Sequence, residues 1–390
     1  MVSRVEPRAE RPRRLPGPRL RYERLPLLAL SILSLLAGLW AGLGRLGWSS
    51  LGPWPGLYLA HGPLMACGFL GTLISLERAV ALGTRWGYAA PLLSGGGAAA
   101  VILGVPDPLG PLAIALGSLW LVADFVVLVR RQAAWFTVTM GLGAVAWLVG
   151  NVLWLVGTPV MRLFFWWVGF LVLTIVGERL ELSRLAGPAG RGRGLFLAGA
   201  VVFISGLSLA SAYLGPGLRL AGAGMLFLTL WLWRYDVAWR TVRQAGLTRF
   251  IAVNLLAGYV WLGLGGGAWL WFGDALTTFH YDLMLHLILL GFVFSMIFGH
   301  APIIFPAVLG GPLPYRRGFY LHAGLLQASL LLRVIGDVGA YYPAYRWGGL
   351  LNVVAILIFV ANTARSVVAE LTRRSGRGRS AAPRADAGSG

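Results

Sequence analysis

Apolar residues run through this chain in long blocks, separated by short breaks that carry arginine, glycine and proline. A helix rising 1.5 Å per residue needs about 20 residues to cross a hydrocarbon core of about 30 Å. Twelve runs approach or meet that length: 26–44, 56–76, 87–104, 109–129, 134–156, 159–177, 195–214, 217–233, 250–272, 278–299, 317–336 and 347–366. The pattern predicts an all-α polytopic membrane bundle of about twelve transmembrane helices over residues 25–368. Residues 1–24 hold eight Arg and four Pro before the first apolar run. They predict a disordered cytoplasmic tail and not a cleavable leader. The low-complexity end, residues 369–390, predicts a second disordered cytoplasmic tail.

Composition agrees and narrows the function classes. The chain is 57% hydrophobic and 12% charged, with a mean hydropathy of +0.74, values that a soluble surface would not tolerate. The net charge of +19 comes from 33 arginines and no lysine. With both termini inside, 28 arginines fall on the cytoplasmic side, against Arg45, Arg162, Arg219, Arg333 and Arg346 outside. That asymmetry predicts a multi-pass protein of the inner (cytoplasmic) membrane, its basic residues facing anionic lipid and not nucleic acid. A lone cysteine, Cys67, excludes an internal disulfide, a CxxC motif and a multi-cysteine zinc site.

Against this background the polar residues inside the apolar runs carry the candidate chemistry. The stretch from Thr278 to Gly310 holds His280, Asp282, His286 and His300. An imidazole within hydrocarbon requires a polar partner, which can be a metal, a cofactor or a hydrogen bond to another helix. Runs two and ten both enter from the outer face, placing His61 about 8 Å and His286 about 12 Å deep. These two can meet at one level. His280 at the outer mouth, His300 at the inner end and His322 in run eleven are weaker candidate metal ligands. His61, Met65, Gly68 and Thr72 share one helical face, which would suit a flat macrocycle or a close helix contact.

The remaining polar groups have plainer expectations. Glu77 with Arg78, and Glu178 with Arg179 and Glu181, read as ion pairs at the cytoplasmic edge, with proton uptake as the alternative. Asp124 calls for an arginine or a proton. Asn151, Asn254, Gln327, Asn352 and Asn362 read as hydrogen bonds between helices.

The string HGPLM, residues 61–65, resembles the HGxxM signature in the second helix of heme-copper oxidase subunit I. Run ten resembles that family's tenth helix through His286, Gly291, Gly299 and Phe305-Pro306-Ala307-Val308-Leu309-Gly310. The resemblance implies a heme-copper-oxidase-like bundle in which His61 and His286 clamp a heme b iron and Met65 borders it. It also implies Arg333 as a partner of the heme propionates, since arginine suits bidentate carboxylate pairing; Arg45 and Arg162 are candidates of the same kind. An interfacial arginine reaching for water is the other reading of Arg333. Departures from the pattern matter too. Met284-Leu285-His286 replaces the family's His-x-His, so Met284 stands where the ligand of a second heme belongs. In run six Phe170 occupies the copper-binding histidine position, and run seven has no histidine pair. Copper prefers imidazole, so these losses argue against an oxygen-reducing terminal oxidase.

The chain is also similar to the NnrS family of heme-containing membrane proteins of the nitric oxide response. His61, Met65, Gly68 and Phe69 carry that similarity, followed by His286, Gly291, Met296, Gly299 and His300; GHAPI stands where the family has GHTGR. It implies a heme b protein of nitric oxide response, denitrification or respiratory electron transfer, with nitric oxide or a redox protein as partner. Any enzymatic activity would be that of a heme-dependent oxidoreductase acting on nitric oxide. Copper is associated with that family, and these residues place no copper site. A cofactor-free transporter or assembly factor using the intramembrane histidines and Asp124 is the alternative.

Overall fold

The computed structural model describes residues 21–48, 55–183, 191–274, 278–310 and 314–380. Most of the expected N-terminal tail, 1–20, and the end of the C-terminal one, 381–390, lie outside the described residues. Those described are helical, with no strand among them. Twelve helices account for the fold: α1 (Leu25–Arg45), α2 (His61–Leu82), α3 (Ala89–Ile102), α4 (Leu109–Arg131), α5 (Trp135–Leu155), α6 (Val160–Ser183), α7 (Arg191–Ala210), α8 (Leu214–Tyr235), α9 (Gly246–Phe272), α10 (Thr278–Val308), α11 (Phe319–Val338) and α12 (Tyr342–Ser380). Eleven of them are long and apolar enough to cross a membrane, so the chain is a multi-pass membrane helix bundle.

The exception corrects the third predicted run. Helix α3 has 14 residues and covers about 21 Å. It follows a tight turn at Trp86–Tyr88 and stops before Gly104, whose φ of +70° ends helical geometry, with Pro106 beyond. The C-terminal boundary also shifts. The apolar part of α12 ends at Ala369, as expected, but the helix continues to Ser380. Alanine, leucine, glutamate and arginine favour it, and no proline interrupts before Pro383.

Consecutive helices pack against one another along the whole chain, and α12 returns to α1. Three helices lie inside this arrangement. The apolar windows of α2, α6 and α10 are 61%, 72% and 72% buried, whereas the other spans run from 33% to 56%. Helix α10 touches α2, α6, α9 and α11, so it forms the centre. Helices α11 and α12 can close tightly because Gly348 carries no side chain; a Cβ there would lie 2.6 Å from the backbone nitrogen of Arg333.

Two of the inner helices depart from α geometry. Leu64–Gly71 in α2 and Leu287–Phe294 in α10 are π-helical, a rare conformation that collects at functional sites. Each follows a histidine, His61 in one case and His286 in the other.

Candidate functional site

His61 is the first residue of α2, set off by a turn at Ala60 from the short helix Pro55–Leu59. Its Nδ1 lies 2.7 Å from the carbonyl oxygen of Gly38 on α1. One turn further along α1, a Cβ on Gly42 would come within 2.9 Å of the imidazole Cε1. The ring is therefore held flush against a backbone surface that larger residues would close.

His286 is anchored within its own helix and beyond it. Its Nδ1 lies 3.0 Å from the Asp282 carbonyl oxygen and 3.1 Å from Asp282 Oδ1. Both carboxylate oxygens of Asp282 also accept from Arg333 on α11, Nε donating to Oδ2 and Nη2 to Oδ1, each at 2.7 Å. The pair is buried, with 8% and 11% of the two side chains exposed, and the guanidinium sits 5.2 Å over the ring of Tyr345. A bidentate contact of this kind fixes orientation as well as charge.

The two imidazoles lie with ring centres 6.4 Å apart and planes 20° from parallel. A metal bound to one nitrogen of each at about 2 Å, with about 1 Å from nitrogen to ring centre, requires a separation of about 6 Å. The observed spacing matches. With each Nδ1 engaged by an oxygen, Nε2 is the nitrogen of each ring that could hold a metal. Two imidazoles are too few for a bare ion that wants four or more ligands. Among the described residues no group of three or more His, Cys, Asp or Glu is placed to hold a metal. A macrocycle that brings its own four nitrogens fits a two-imidazole clamp better. Deeper in the bundle, Phe69 and Phe294, each eight residues past its histidine, stack at 6.1 Å.

The other predicted site residues take varied places around the pair. Met65 turns toward α1, where a Cβ on Gly38 would meet its sulfur at 2.7 Å. Met284 is fully buried in the core, and its carbonyl accepts from Trp269 Nε1 at 2.9 Å. Two residues before His286, it projects from a different side of α10 and does not join the pair. Arg333, expected as a propionate partner, pairs with Asp282 through Nε and Nη2. Arg45, exposed at the end of α1, stands near enough to act electrostatically on His61 and Tyr281.

The three weaker histidines are also apart from the pair. His280 stacks on Phe272 at 4.3 Å. At His300 α10 does not stop but continues through Pro302 and Pro306, as membrane helices tolerate. Its Nδ1 lies 2.8 Å from the Met296 carbonyl oxygen and its Nε2 3.4 Å from Arg179 Nη1. Arg179 donates from Nε and Nη2 to Asp236 at 2.8 and 2.9 Å. His322 is enclosed by Phe250, Phe298, Phe319 and Phe359, with Asn362 Nδ2 3.4 Å from its Nδ1.

At the edge opposite the histidine pair, Arg78 on α2 bridges Glu77 and Glu178 of α6, both at 2.8 Å. Asp124 is fully buried, and neither of its oxygens has a hydrogen-bond partner among the described residues. The expected arginine partner is absent from that set. Asn151 accepts from Cys67 Sγ and Trp167 Nε1, and Gln327 joins Trp261 to Ser295 across helices. Asn254 instead donates to Phe250 one turn back in its own helix.

Sequence reasoning assigned no role to Asp282 or Asp236. The i, i+4 spacing of Asp282 and His286 on one helix was a readable signal for the first. Asp236 sits in a loop, and only the fold brings Arg179 to it.

A family model described as "Domain of unknown function (DUF8744)" matches residues 24–368. Comparison with curated proteins finds no match.

Proposed function

The chain belongs to the DUF8744 family, and we propose that it is an integral membrane heme b protein, serving nitric oxide response or respiratory electron transfer at the inner membrane. One observation carries this reading: two imidazoles from α2 and α10, 6.4 Å apart and near-parallel, each with Nδ1 occupied. His61 and His286 would hold the iron through Nε2. Gly38 and Gly42 seat His61, Asp282 and Arg333 orient His286, and Arg45 is the exposed guanidinium available to a propionate. Bound heme would supply one-electron chemistry, and gas binding wherever an axial position opens. In place of the copper-site histidine, Phe170 stacks on Trp147 at 4.9 Å in the core, which supports a reading other than a terminal oxidase. The proposal places no copper.

Heme content tests it. The chain purified after expression with ample heme should give about one b-type hemochrome per polypeptide, and the double variant His61→Ala/His286→Ala should give none. A wild-type chain without Soret absorbance would defeat the proposal. One observation favours a second reading, a cofactor-free transporter: the unpartnered carboxylate of Asp124 inside α4. Proton or cation flux through heme-free vesicles that is lost in Asp124→Asn would support it.

A further inference from the structure

The two halves of the histidine clamp are built differently. The Nδ1 of His61 meets one neutral acceptor, the Gly38 carbonyl. That of His286 meets a neutral carbonyl too, that of Asp282 at 3.0 Å, and in addition the Asp282 carboxylate at 3.1 Å, which is locked by two 2.7 Å bonds from a buried arginine on another helix. Their backbones differ as well. His61 opens its helix just after the Ala60 turn, whereas His286 lies nine residues into a 31-residue span, Thr278–Val308.

A carboxylate accepting from the distal nitrogen of a ligating imidazole makes that imidazole a stronger, better oriented donor, while a neutral carbonyl does so less. From this asymmetry we infer that His286 is the retained axial ligand, with Asp282 and Arg333 as its positioning residues, and that His61 is the exchangeable one. The side of the clamp near Gly38 and Gly42 is then where a small neutral ligand such as carbon monoxide or nitric oxide enters. With heme bound, His61 would give up its place through Nε2, keeping its electron pair, and the incoming molecule would donate its own. No electron or proton is transferred. The inference rests on the heme reading above and adds which face of it is open.

Arg333 sustains this asymmetry. Without it Asp282 would be an unpaired charge in the bundle, which is costly enough that a proton or a rearrangement would remove it. With it, the negative charge beside His286 is held in place and still shared with the imidazole.

The test compares single-ligand variants of the full chain. His61→Ala should keep about one heme per chain, turn high-spin and bind carbon monoxide after dithionite reduction. His286→Ala should lose heme at least severalfold relative to it. Imidazole added to His61→Gly should restore the low-spin spectrum, which shows that the fold survives. The paired variant Asp282→Asn/Arg333→Gln keeps a neutral hydrogen-bonded couple, and its midpoint potential should move positive, because the carboxylate in contact with the ligand's own Nδ1 supports the ferric state more than the guanidinium, one contact further away, opposes it. Heme loss that is equal in the two alanine variants, or greater in His61→Ala, would overturn the inference, as would an unchanged potential in the paired variant. A wild-type chain free of heme would instead defeat the functional reading beneath it, and the wild-type spectrum separates the two failures.

Discussion

Each polar side chain near the clamp answers to the same rule, that charge within a bundle is tolerated only when it is paired and oriented. Asp282 and Arg333 meet it with two short bonds, and this has a measurable consequence. Removing one partner of a buried pair typically costs about 3–5 kcal/mol. Arg333→Leu should accordingly lower the unfolding temperature in detergent far more than Arg219→Leu, whose exposed ion pair with Asp274 is 3.6 Å long. Similar losses in both would show that the inner pair contributes nothing special. At Gly42 the constraint is steric. Gly42→Val should push the His61 ring aside and reduce the low-spin fraction of bound heme, read by optical spectrum, with little loss of folded protein. The two clamp histidines were legible in the sequence because topology and helical rise give depth, and depth alone put them at one level. The partner of Arg333 was not, because guanidinium and carboxylate belong to different helices and only the packing of α11 on α10 chooses between Asp282 and a propionate.

Helices here do more than fill the bilayer. The π-helical stretches after His61 and His286 alter the angular register between each histidine and the rest of its helix. Deleting one residue restores α register and turns the flanking segments about 100° relative to each other. Deletion of Val293 should therefore abolish low-spin heme binding while the chain still inserts in membranes, as checked by fractionation and spectrum. Retained binding would show that the π geometry is incidental. Hydrophobic runs located almost every helix. At α3 the run 87–104 holds a helix of 14 residues, which begins after a tight turn and ends before Gly104 with its positive φ, and at α12 a polar composition that predicts disorder belongs to a backbone that stays helical. Apolar run length reports what lipid tolerates. It does not report where hydrogen bonding ends.

For the whole molecule, the inner placement of the second, sixth and tenth helices brings residues more than 200 positions apart onto one axis. The arginine distribution of the sequence predicts the direction of that axis, with the histidine pair toward the outer face. A carboxy-terminal green fluorescent protein fusion should fluoresce and an alkaline phosphatase fusion at the same point should be inactive; the reverse pattern would place the clamp near the cytoplasm.

The account is tested most directly by electron paramagnetic resonance of the ferric protein at low temperature, joined to near-infrared magnetic circular dichroism. It predicts a low-spin signal with the charge-transfer band of bis-imidazole ligation, lost in both His61→Ala and His286→Ala and kept in His322→Ala. Histidine–methionine ligation, or a bis-imidazole signal that survives either clamp variant, would contradict it.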